Sequence, residues 1–511
     1  MSQRARRRRS REDRLDPSLT RFRFRQLHNP LPPTEILGPA LLDELHLASM
    51  HILENTGIDF LDEETLLLWE KAGARVDHQA RHVWLDRGLV LELVAQAPAE
   101  FTLRARNPAH NLTLGGNRIT FAPMGGMVNI ATLQTGRRAS TLADAIELTK
   151  ILQMAPMIHT GGAGIALGDV PVSVRHLRRA LAYYPLTDKA MYANPHGRVI
   201  PEDELAMARI VFGDPLPADP VLSGVVNVNS PLRFDKRMLG GLMTMARAGQ
   251  VVVLTPFILA GAMSPITIAA ALAQQNAEAL AGIALTQLIR PGAPVVYGGF
   301  TTNTDMKTGS PSFGTPEGAW ALLVGAQLAR RYGLPYRGSG SLCSANTPDA
   351  QAAAETMWSM WPAILAHTNL VMHSIGWLEN GLTVSYEKMI LDLENVLKFY
   401  SFLEGFQINE ATLALDMIDA VGPGGHHFGT PHTQARFSSE FYQSILGSHP
   451  GFESWLAAGA EDAVTRANKV WQALLRQYEQ PALDVGIVTG LADFVARREQ
   501  ELAGVDLYYD A

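Results

Sequence analysis

Cysteine is nearly absent from this chain of 511 residues, in which Cys343 is the only one. A single cysteine excludes an intrachain disulfide, and nothing else in the sequence indicates an oxidising compartment. Uninterrupted apolar runs of about eighteen residues, the length of a membrane-spanning helix, are also lacking. The most apolar stretch, residues 266–288, is broken by Gln274 and Glu278 and predicts a buried helix. These absences together predict a cytoplasmic protein without a membrane span.

Charge is scarce as well, at 18% of the residues, and the net charge is −7. This balance gives no basis for nucleic-acid binding, because neutralising phosphates requires a basic surface. The one basic block, Arg4 to Arg9, lies in residues 1–30, which we predict to be a disordered tail. A twin-arginine export signal would need an apolar stretch after that block, and Glu12 and Asp13 follow instead.

From about residue 119 the sequence alternates short β-branched runs with longer helical patterns. Eight runs predict strands, at residues 119–123, 157–161, 190–194, 222–228, 251–255, 294–298, 336–340 and 370–374. Several are apolar throughout, as expected of parallel strands covered on both faces. Eight strand–helix units predict an α/β fold of the (β/α)8 TIM-barrel type. A doubly wound open sheet is the alternative, but it would need a glycine-rich turn opening a helix directly after the first strand.

This count divides the chain into four parts. Residues 1–30 are the tail, and residues 31–118 predict an N-terminal helical arm with a small β extension. The barrel itself occupies residues 119–406, and residues 407–511 predict a C-terminal helical region packed on it.

The loops after the predicted strands hold the candidate site, because barrel enzymes bind their substrates at the carboxyl ends of the strands. These loops are rich in Gly, Asn, Ser and aromatic residues and poor in paired carboxylates or lysines. Such a composition suits a bulky cation held by aromatic rings, as in the recognition of quaternary ammonium groups. The structural alternative is that the glycines and asparagines shape turns and the aromatics pack.

Other reactive residues point less clearly to chemistry. His373 lies at a strand end and is either a site residue or a buried histidine whose hydrogen bonds are made within the core. Cys343 has no base near it in sequence, so a buried, inert thiol is expected. Lys189 begins its strand, which is the wrong end for a Schiff-base lysine of a barrel lyase or aldolase. Gly338 and Gly340 leave a phosphate site as a minor alternative.

The glycine-rich loop at residues 422–433 contains His426, His427 and His432. Zinc sites usually combine histidine with cysteine or carboxylate ligands at regular spacing, and no such partners lie near this loop in sequence. We therefore predict no metal site.

Residues 336–352, 376–388 and 422–433 resemble the corresponding stretches of the trimethylamine methyltransferase family. The resemblance runs from about residue 30 to the C-terminus. It implies a β/α barrel and the transfer of a methyl group to a cobalt corrinoid on a separate protein. The archaeal members carry pyrrolysine in or beside the segment that matches residues 338–346, where this chain has only ordinary residues.

The absence of pyrrolysine changes which substrate is expected. A quaternary ammonium leaves as a neutral tertiary amine, so it is already activated, whereas trimethylamine is a poorer methyl donor. A member without pyrrolysine is therefore expected to use a quaternary amine such as a betaine, carnitine or a choline-like compound. Glycine betaine methyltransferases are among the members of the family that lack pyrrolysine.

The resemblance also gives roles to individual residues. The expected substrate-binding residues are an aromatic wall and two donors for a carboxylate, namely Tyr297, Phe300, Tyr336, Trp377, Arg337 and His373. The residues expected to face the corrinoid are Gly338, Ser339, Gly340, Asn346, His426 and His432. We expect no acid–base pair, because the quaternary nitrogen has no proton to remove and the leaving amine needs none, and we expect no tightly bound cofactor.

The expected partners are a corrinoid protein and a small quaternary amine, and the protein itself is expected to form a homo-oligomer. The competing function is a catalytically idle homologue that binds a quaternary amine as a sensor or regulatory subunit.

Overall fold

The computed structural model describes residues 22–507, which form an α/β fold around one large sheet. The predicted tail lies mostly outside this range. Its part inside the range includes the strand Leu27–His28, which pairs antiparallel with the chain at Ile119. Because Leu27 is also buried, this part of the tail is held against the sheet. Within residues 22–507, no helix is both long and apolar enough to cross a membrane.

The chain before the central sheet forms short strands and helices. The strands are β1 (Leu27–His28), β2 (Ile58–Phe60), β3 (Arg75–Asp77), β4 (His82–Trp84), β5 (Glu100–Leu103) and β6 (Leu112–Gly115). The helices are α1 (Pro39–His51), α2 (Glu63–Lys71) and α3 (Arg87–Val94). Helices α2 and α3 begin after Asp62 and Asp86, whose carboxylates accept hydrogen bonds from backbone N–H groups of the first turn.

Parallel strands dominate the central sheet. The strands after residue 117 are β7 (Arg118–Phe121), β8 (Gly125–Met127), β9 (Asn129–Thr132), β10 (Gly136–Ala139), β11 (Gly164–Ile165), β12 (Met191–Ala193), β13 (Leu222–Val228), β14 (Arg233–Phe234), β15 (Val251–Ala260), β16 (Val295–Gly298), β17 (Phe300–Thr304), β18 (Pro311–Ser312), β19 (Tyr336–Ser339), β20 (Leu370–Met372), β21 (Trp377–Leu378) and β22 (Thr383–Ser385). The sheet order is β1-β7-β20-β19-β16-β15-β13-β12, parallel from β7 onward. Val253 is fully buried between Val225 and Val296 of the flanking strands. The predicted α/β class is confirmed.

Residues 157–161, the second predicted strand, form only an isolated bridge between Thr160 and Ala190. Side chains occupy the backbone groups that a ladder would use. The Phe121 N–H donates to the ring nitrogen Nδ1 of His159 at 2.8 Å, and the Lys189 ammonium donates to the Ile158 carbonyl at 2.6 Å. The segment still touches both ends of the parallel sheet, because the His159 N–H donates to the Phe121 carbonyl and the Gly161 N–H to the Ala190 carbonyl, each at 2.8 Å.

Helices follow the strands along the chain. They are α4 (Leu142–Met154), α5 (Arg175–Leu186), α6 (Val199–Phe212), α7 (Lys236–Arg247), α8 (Ile268–Ile289), α9 (Pro316–Arg331), α10 (Ala350–Leu365) and α11 (Tyr386–Glu404). Helix α8 is buried along most of its length, including Gln274 and Glu278, as the apolar stretch predicted. Pro316 lies at the first position of α9, where its missing N–H costs nothing.

The C-terminal region is helical but unevenly packed. Its helices are α12 (Glu410–Leu413), α13 (Leu415–Val421), α14 (Pro431–Arg436), α15 (Phe452–Ala457), α16 (Ala463–Arg476) and α17 (Val485–Glu501). Helix α16 is tied to α11 by the Trp471 indole N–H, which donates to the Glu387 carboxylate at 3.0 Å. Helix α17 is tied to α6 by an ion pair between Arg498 and Asp203 at 2.7 Å.

Candidate functional site

A cavity of about 470 Å³ opens at the carboxyl ends of the parallel strands. Its walls include residues that lie on or directly follow β7, β12, β13, β19 and β20. In α/β sheets ligands bind at this edge, because the loops that leave the strands converge there. The cavity is therefore where the sequence placed the site.

Arg337 on β19 lies in this cavity with only 2% of its surface exposed. Its guanidinium donates to the Gly299 carbonyl at 3.3 Å, and its Nη2 lies 3.1 Å from Nε2 of His373. Its Nε has no hydrogen-bond partner among the described residues. Burial lowers the pKa of Arg337 to about 10, and within residues 22–507 no carboxylate lies against it to offset that cost. A buried cation without an anion is unfavourable by several kcal/mol, so this arrangement is suited to an anionic ligand.

His373 follows β20 and faces two hydrogen-bond donors. Its Nδ1 lies 3.2 Å from the Gly125 N–H, and its Nε2 faces Arg337. Burial, and the nearby charge of Arg337, hold the pKa of His373 well below its usual range, so the ring is neutral. A neutral imidazole carries one N–H and accepts at only one nitrogen. The Gly125 N–H and the Arg337 guanidinium therefore cannot both donate to the ring, and one of the two donors has no acceptor there. The backbone of His373 is also in the left-handed region, at φ 54°, a strained conformation often found at ligand sites.

Aromatic rings pack behind these two residues. Phe300 stacks on His373 with ring centroids 5.6 Å apart, and the Arg337 guanidinium lies 4.8 Å from the Phe300 centroid. Trp377 meets His373 edge-on at 4.6 Å, and its indole N–H donates to the Cys343 carbonyl. Phe300, Arg337 and His373 line the cavity, whereas Trp377 supports them from behind.

Two members of the expected aromatic wall, Tyr297 and Tyr336, lie outside the cavity, and this corrects the prediction. The Tyr297 hydroxyl donates to the Asn276 side chain on α8 at 3.1 Å. The Tyr336 hydroxyl faces α9, where a Cβ added at Gly325 would lie 2.6 Å from it. Successive side chains of a strand point to opposite faces, so the inward position of Arg337 turns Tyr336 toward the helices.

Tyrosines that the sequence reasoning missed take their place. Tyr183 of α5 and Tyr192 of β12 line the cavity with Phe300. The Tyr183 hydroxyl donates to the Ala163 carbonyl at 2.6 Å, which fixes its ring against the wall. Tyr192 lies within the predicted strand 190–194, but nothing in the sequence shows which face of that strand it occupies.

The residues expected to face the corrinoid are not gathered in the cavity, and none of the six lines it. Gly338 and Gly340 are packed, because a Cβ added there would meet Thr368 at 3.2 Å and Met360 at 2.8 Å, respectively. Ser339 is buried, whereas Asn346 is exposed at the surface.

The two histidines of that set, His426 and His432, lie in the glycine-rich loop on the surface. His426 is exposed, and Nε2 of His432 lies 3.1 Å from the Ala411 carbonyl. Among residues 22–507 no group of three or more His, Cys, Asp or Glu is arranged to hold a metal ion.

The cavity lining is also rich in arginine. Arg175, Arg179 and Arg237 belong to it, and together with Arg337 they give four arginines, while the lining contains neither Asp nor Glu. Arg179 donates to the Asn194 side chain and to the Ile165 carbonyl, each at 2.9 Å. These arginines come from helices and were missed by sequence reasoning, which considered only the strand ends. The lining therefore contains four arginines and no carboxylate.

Comparisons with known proteins identify the family of the chain. Residues 3–503 match the family described as trimethylamine methyltransferase (MTTB). The glycine betaine methyltransferase of Desulfitobacterium hafniense (strain Y51) is 38% identical over 475 residues, covering 92% of this chain and 98% of that protein. The trimethylamine methyltransferase MttB of D. hafniense (strain DSM 10664 / DCB-2) is 32% identical, covering 89% and 92%. MttB of Methanosarcina barkeri is 28% identical, covering 91% and 95%.

Among solved structures, the monomethylamine methyltransferase MtmB of Methanosarcina barkeri aligns over 87% of this chain and 93% of its own, with a TM-score of 0.45 and 9% identity. The family assignment depends on the sequence matches alone. With residues 338–346 all ordinary amino acids, this chain is a methyltransferase that belongs to the trimethylamine methyltransferase family as a member without pyrrolysine.

Proposed function

We propose that this enzyme moves a methyl group from a carboxylate-bearing quaternary amine, such as glycine betaine or carnitine, to the corrinoid of a partner protein. The observation that carries the proposal is the buried Arg337 without an anion beside the neutral His373. A substrate carboxylate there would accept hydrogen bonds from the guanidinium and from the imidazole N–H. It would supply the missing anion, and it would give the Arg337 and His373 donors a shared acceptor.

The charge of the cavity narrows the substrate class. Four arginines and no acid line it, so a purely cationic compound such as choline is repelled. A betaine enters with its own negative charge. Its trimethylammonium group would lie against Phe300, Tyr183 and Tyr192, where each ring contributes about 0.5–2 kcal/mol.

The reaction needs no proton transfer from this chain. When bound, the corrinoid of the partner protein would supply the nucleophile that takes up the methyl group. The bond between the quaternary nitrogen and its methyl carbon breaks, the electron pair stays on nitrogen, and a neutral tertiary amine leaves. The tasks of the chain are therefore to orient the substrate and exclude water, and orientation of this kind supplies several kcal/mol. Of the residues predicted to face the corrinoid, the exposed Asn346 and His426 and the half-buried His432 are accessible to a partner protein, whereas Gly338, Ser339 and Gly340 are packed.

The test is to incubate the purified enzyme with cobalt(I) cobalamin and a panel of glycine betaine, carnitine, choline and trimethylamine. Methylcobalamin formation is followed by its absorbance. Substrates with a carboxylate are expected to react fastest. Equal rates with choline or trimethylamine would refute the substrate class, and binding of a betaine without methyl transfer would favour a sensor.

We also propose that residues 119–406 close into a (β/α)8 barrel, with residues 31–118 and 407–511 as additions. The hydrogen bonds of His159 and Gly161 to the two ends of the parallel sheet support this closure. An experimental structure in which residues 157–161 separate from Phe121 would contradict it. A cytoplasmic location and self-association complete the proposal.

A further inference from the structure

One ring nitrogen in the cavity wall has no partner within the described part of the protein. His176 lies in the first turn of α5, lines the cavity and is only 3% exposed. Its Nδ1 is buried and has no hydrogen-bond partner among residues 22–507. A buried polar atom is rarely left in this state, because the loss of its hydration is then not offset. The unpartnered nitrogen therefore marks a position that a bound molecule would fill.

The other ring nitrogen of His176 is held outside the cavity. Nε2 lies 2.9 Å from the carboxylate of Asp203 on α6, which is 5% exposed and is not part of the cavity wall. The same carboxylate accepts from the guanidinium of Arg498 on α17 at 2.7 Å. Because an ionised carboxylate only accepts hydrogen bonds, Nε2 must carry the hydrogen. In the neutral ring this leaves Nδ1 as an acceptor, since the partner of one nitrogen sets the state of the other.

Helix α5 presents this histidine on the same face as an aromatic residue of the cavity. His176, Arg179 and Tyr183 follow each other at spacings of three and four residues, and all three line the cavity. Residues at these spacings are neighbours on one face of a helix. A substrate whose ammonium group contacts the Tyr183 ring therefore lies along the face of α5 that also carries His176.

Glycine betaine has no group from which Nδ1 of His176 could accept. Its carboxylate oxygens only accept hydrogen bonds, and its quaternary nitrogen bears no hydrogen. The guanidinium of Arg337 suits the carboxylate, but the His176 nitrogen would face a carbon chain and stay without a partner. A hydroxyl on that chain is the simplest group that supplies the donor.

We propose that His176 is a specificity-determining residue, which selects a betaine with a hydroxyl on the chain between its carboxylate and its quaternary nitrogen. The hydroxyl donates to Nδ1, and Asp203 is the positioning residue that keeps Nδ1 an acceptor. This inference rests on the proposed function, because it takes the carboxylate to lie at Arg337 and the ammonium group against the aromatic rings. A site that hydrogen-bonds a substrate hydroxyl discriminates strongly against the analogue without it.

The test uses carnitine, which has this hydroxyl, and γ-butyrobetaine, which differs only in lacking it. Binding of γ-butyrobetaine and of each carnitine enantiomer to the full-length protein is measured by isothermal titration calorimetry. Methyl transfer to cobalt(I) cobalamin is measured beside it. One enantiomer is expected to bind roughly 10- to 100-fold more tightly than γ-butyrobetaine, with a similar ratio in kcat/KM. The other enantiomer directs its hydroxyl away from Nδ1 and is expected to bind no better than γ-butyrobetaine.

Two glutamine variants separate the role of Nδ1 from a structural role. His176→Gln removes the acceptor but keeps an amide N–H for Asp203, so the three compounds are expected to bind within about threefold of one another. The control His82→Gln makes the same change outside the cavity, where Nδ1 lies 2.8 Å from Asp59 and Nε2 lies 2.7 Å from the Thr56 carbonyl. It is expected to keep the wild-type preference. Equal binding of the three compounds by wild type, or a preference that survives in His176→Gln, would overturn the proposal.

The tautomer of His176 gives a measurement that a loss of stability does not mimic. In the nitrogen NMR spectrum of the free wild type, Nδ1 is expected to have the chemical shift of a nitrogen without hydrogen. In Asp203→Asn the side-chain carbonyl stays with Arg498, so the amide N–H faces Nε2 and the hydrogen of the ring moves to Nδ1. A hydrogen on Nδ1 in the wild type contradicts the assignment of an acceptor.

Failure of this inference and failure of the proposed function give different results. Methyl transfer at equal rates from carnitine and γ-butyrobetaine removes the role of His176 and leaves the proposed reaction intact. Binding that prefers the hydroxyl, without methyl transfer, supports the role of His176 and refutes the proposed reaction. A protein that binds neither compound refutes both.

Discussion

Replacing Arg337 by glutamine separates a ligand-binding role from a structural one. The fall of the Arg337 pKa from 12.5 to about 10 corresponds to about 3 kcal/mol against the buried charge in the free enzyme. Arg337→Gln removes that cost, so the free energy of unfolding is expected to stay the same or to rise. A residue held for stability would give the opposite result.

Catalysis is expected to move the other way. The guanidinium offers a substrate carboxylate its Nη2 and its unpartnered Nε. A hydrogen bond between charged groups contributes about 1.5–3 kcal/mol, and glutamine recovers only part of two such bonds. A net loss of about 3–4 kcal/mol lowers kcat/KM for glycine betaine by roughly 10²- to 10³-fold. The already slow reaction of choline is expected to change little, so the preference for the betaine collapses.

Two assays decide the matter, thermal unfolding without substrate and methylcobalamin formation with both amines. Arg138→Gln is the control, because Arg138 pairs with Asp144 at 2.6 Å, away from the cavity. It is expected to lower the melting temperature and leave the ratio of betaine to choline unchanged. If Arg337→Gln also destabilises the protein and keeps that ratio, the carboxylate assignment is wrong.

Three further predictions concern buried groups outside the cavity. Tyr297→Phe leaves the Asn276 side-chain oxygen without its donor, so the free energy of unfolding in urea should fall by about 1–3 kcal/mol. A raised KM for betaine would instead place Tyr297 at the cavity. Lys388→Met removes the cation that lies 2.5 Å from the buried Asp392 carboxylate, so the free energy of unfolding should fall by about 3–5 kcal/mol. A loss below about 1 kcal/mol in thermal unfolding would contradict this. Burial raises the pKa of Glu278 to about 7, so the folded state holds a proton that the unfolded state releases, and stability should fall by about 3 kcal/mol as pH rises from 4.5 through 7. Urea unfolding of Glu278→Gln across that range should show a flatter dependence, and an unchanged slope would assign the effect elsewhere.

The pattern of β-branched runs predicted most of the fold. The run at 222–228 is a strand with the predicted bounds, and 251–255 begins a longer strand. Residues 157–161 were predicted as a strand because they contain the β-branched residues Ile158 and Thr160 and end in glycine. There the His159 ring and the Lys189 ammonium take up backbone groups, and such contacts join residues that are far apart in sequence. Periodicity alone does not reveal them.

Only part of the site was predicted, again because the sequence does not show which distant residues meet in the fold. Phe300, Arg337 and His373, which were predicted from the strand ends, lie together at one cavity. The sequence did not distinguish the two faces of a strand, because parallel strands are apolar on both, and Tyr336 was therefore predicted on the wrong side. The arginines and Tyr183 from the helices had no signal in a search confined to the loops after the strands.

The basic cavity and the ordinary residues at 338–346 support one account of the chemistry. A quaternary ammonium needs no special residue to activate it, but four arginines oppose its entry. A carboxylate on the same molecule resolves the conflict, because Arg337 binds that group and the opposed charges then set the orientation of the substrate. With the carboxylate held at the buried guanidinium, the cationic end points away from Arg337, and a methyl group is directed toward the opening where the corrinoid must approach. Arg337, whose buried charge lowers the stability of the free enzyme, thus orients the methyl donor. The binding of the substrate carboxylate then stabilises that charge.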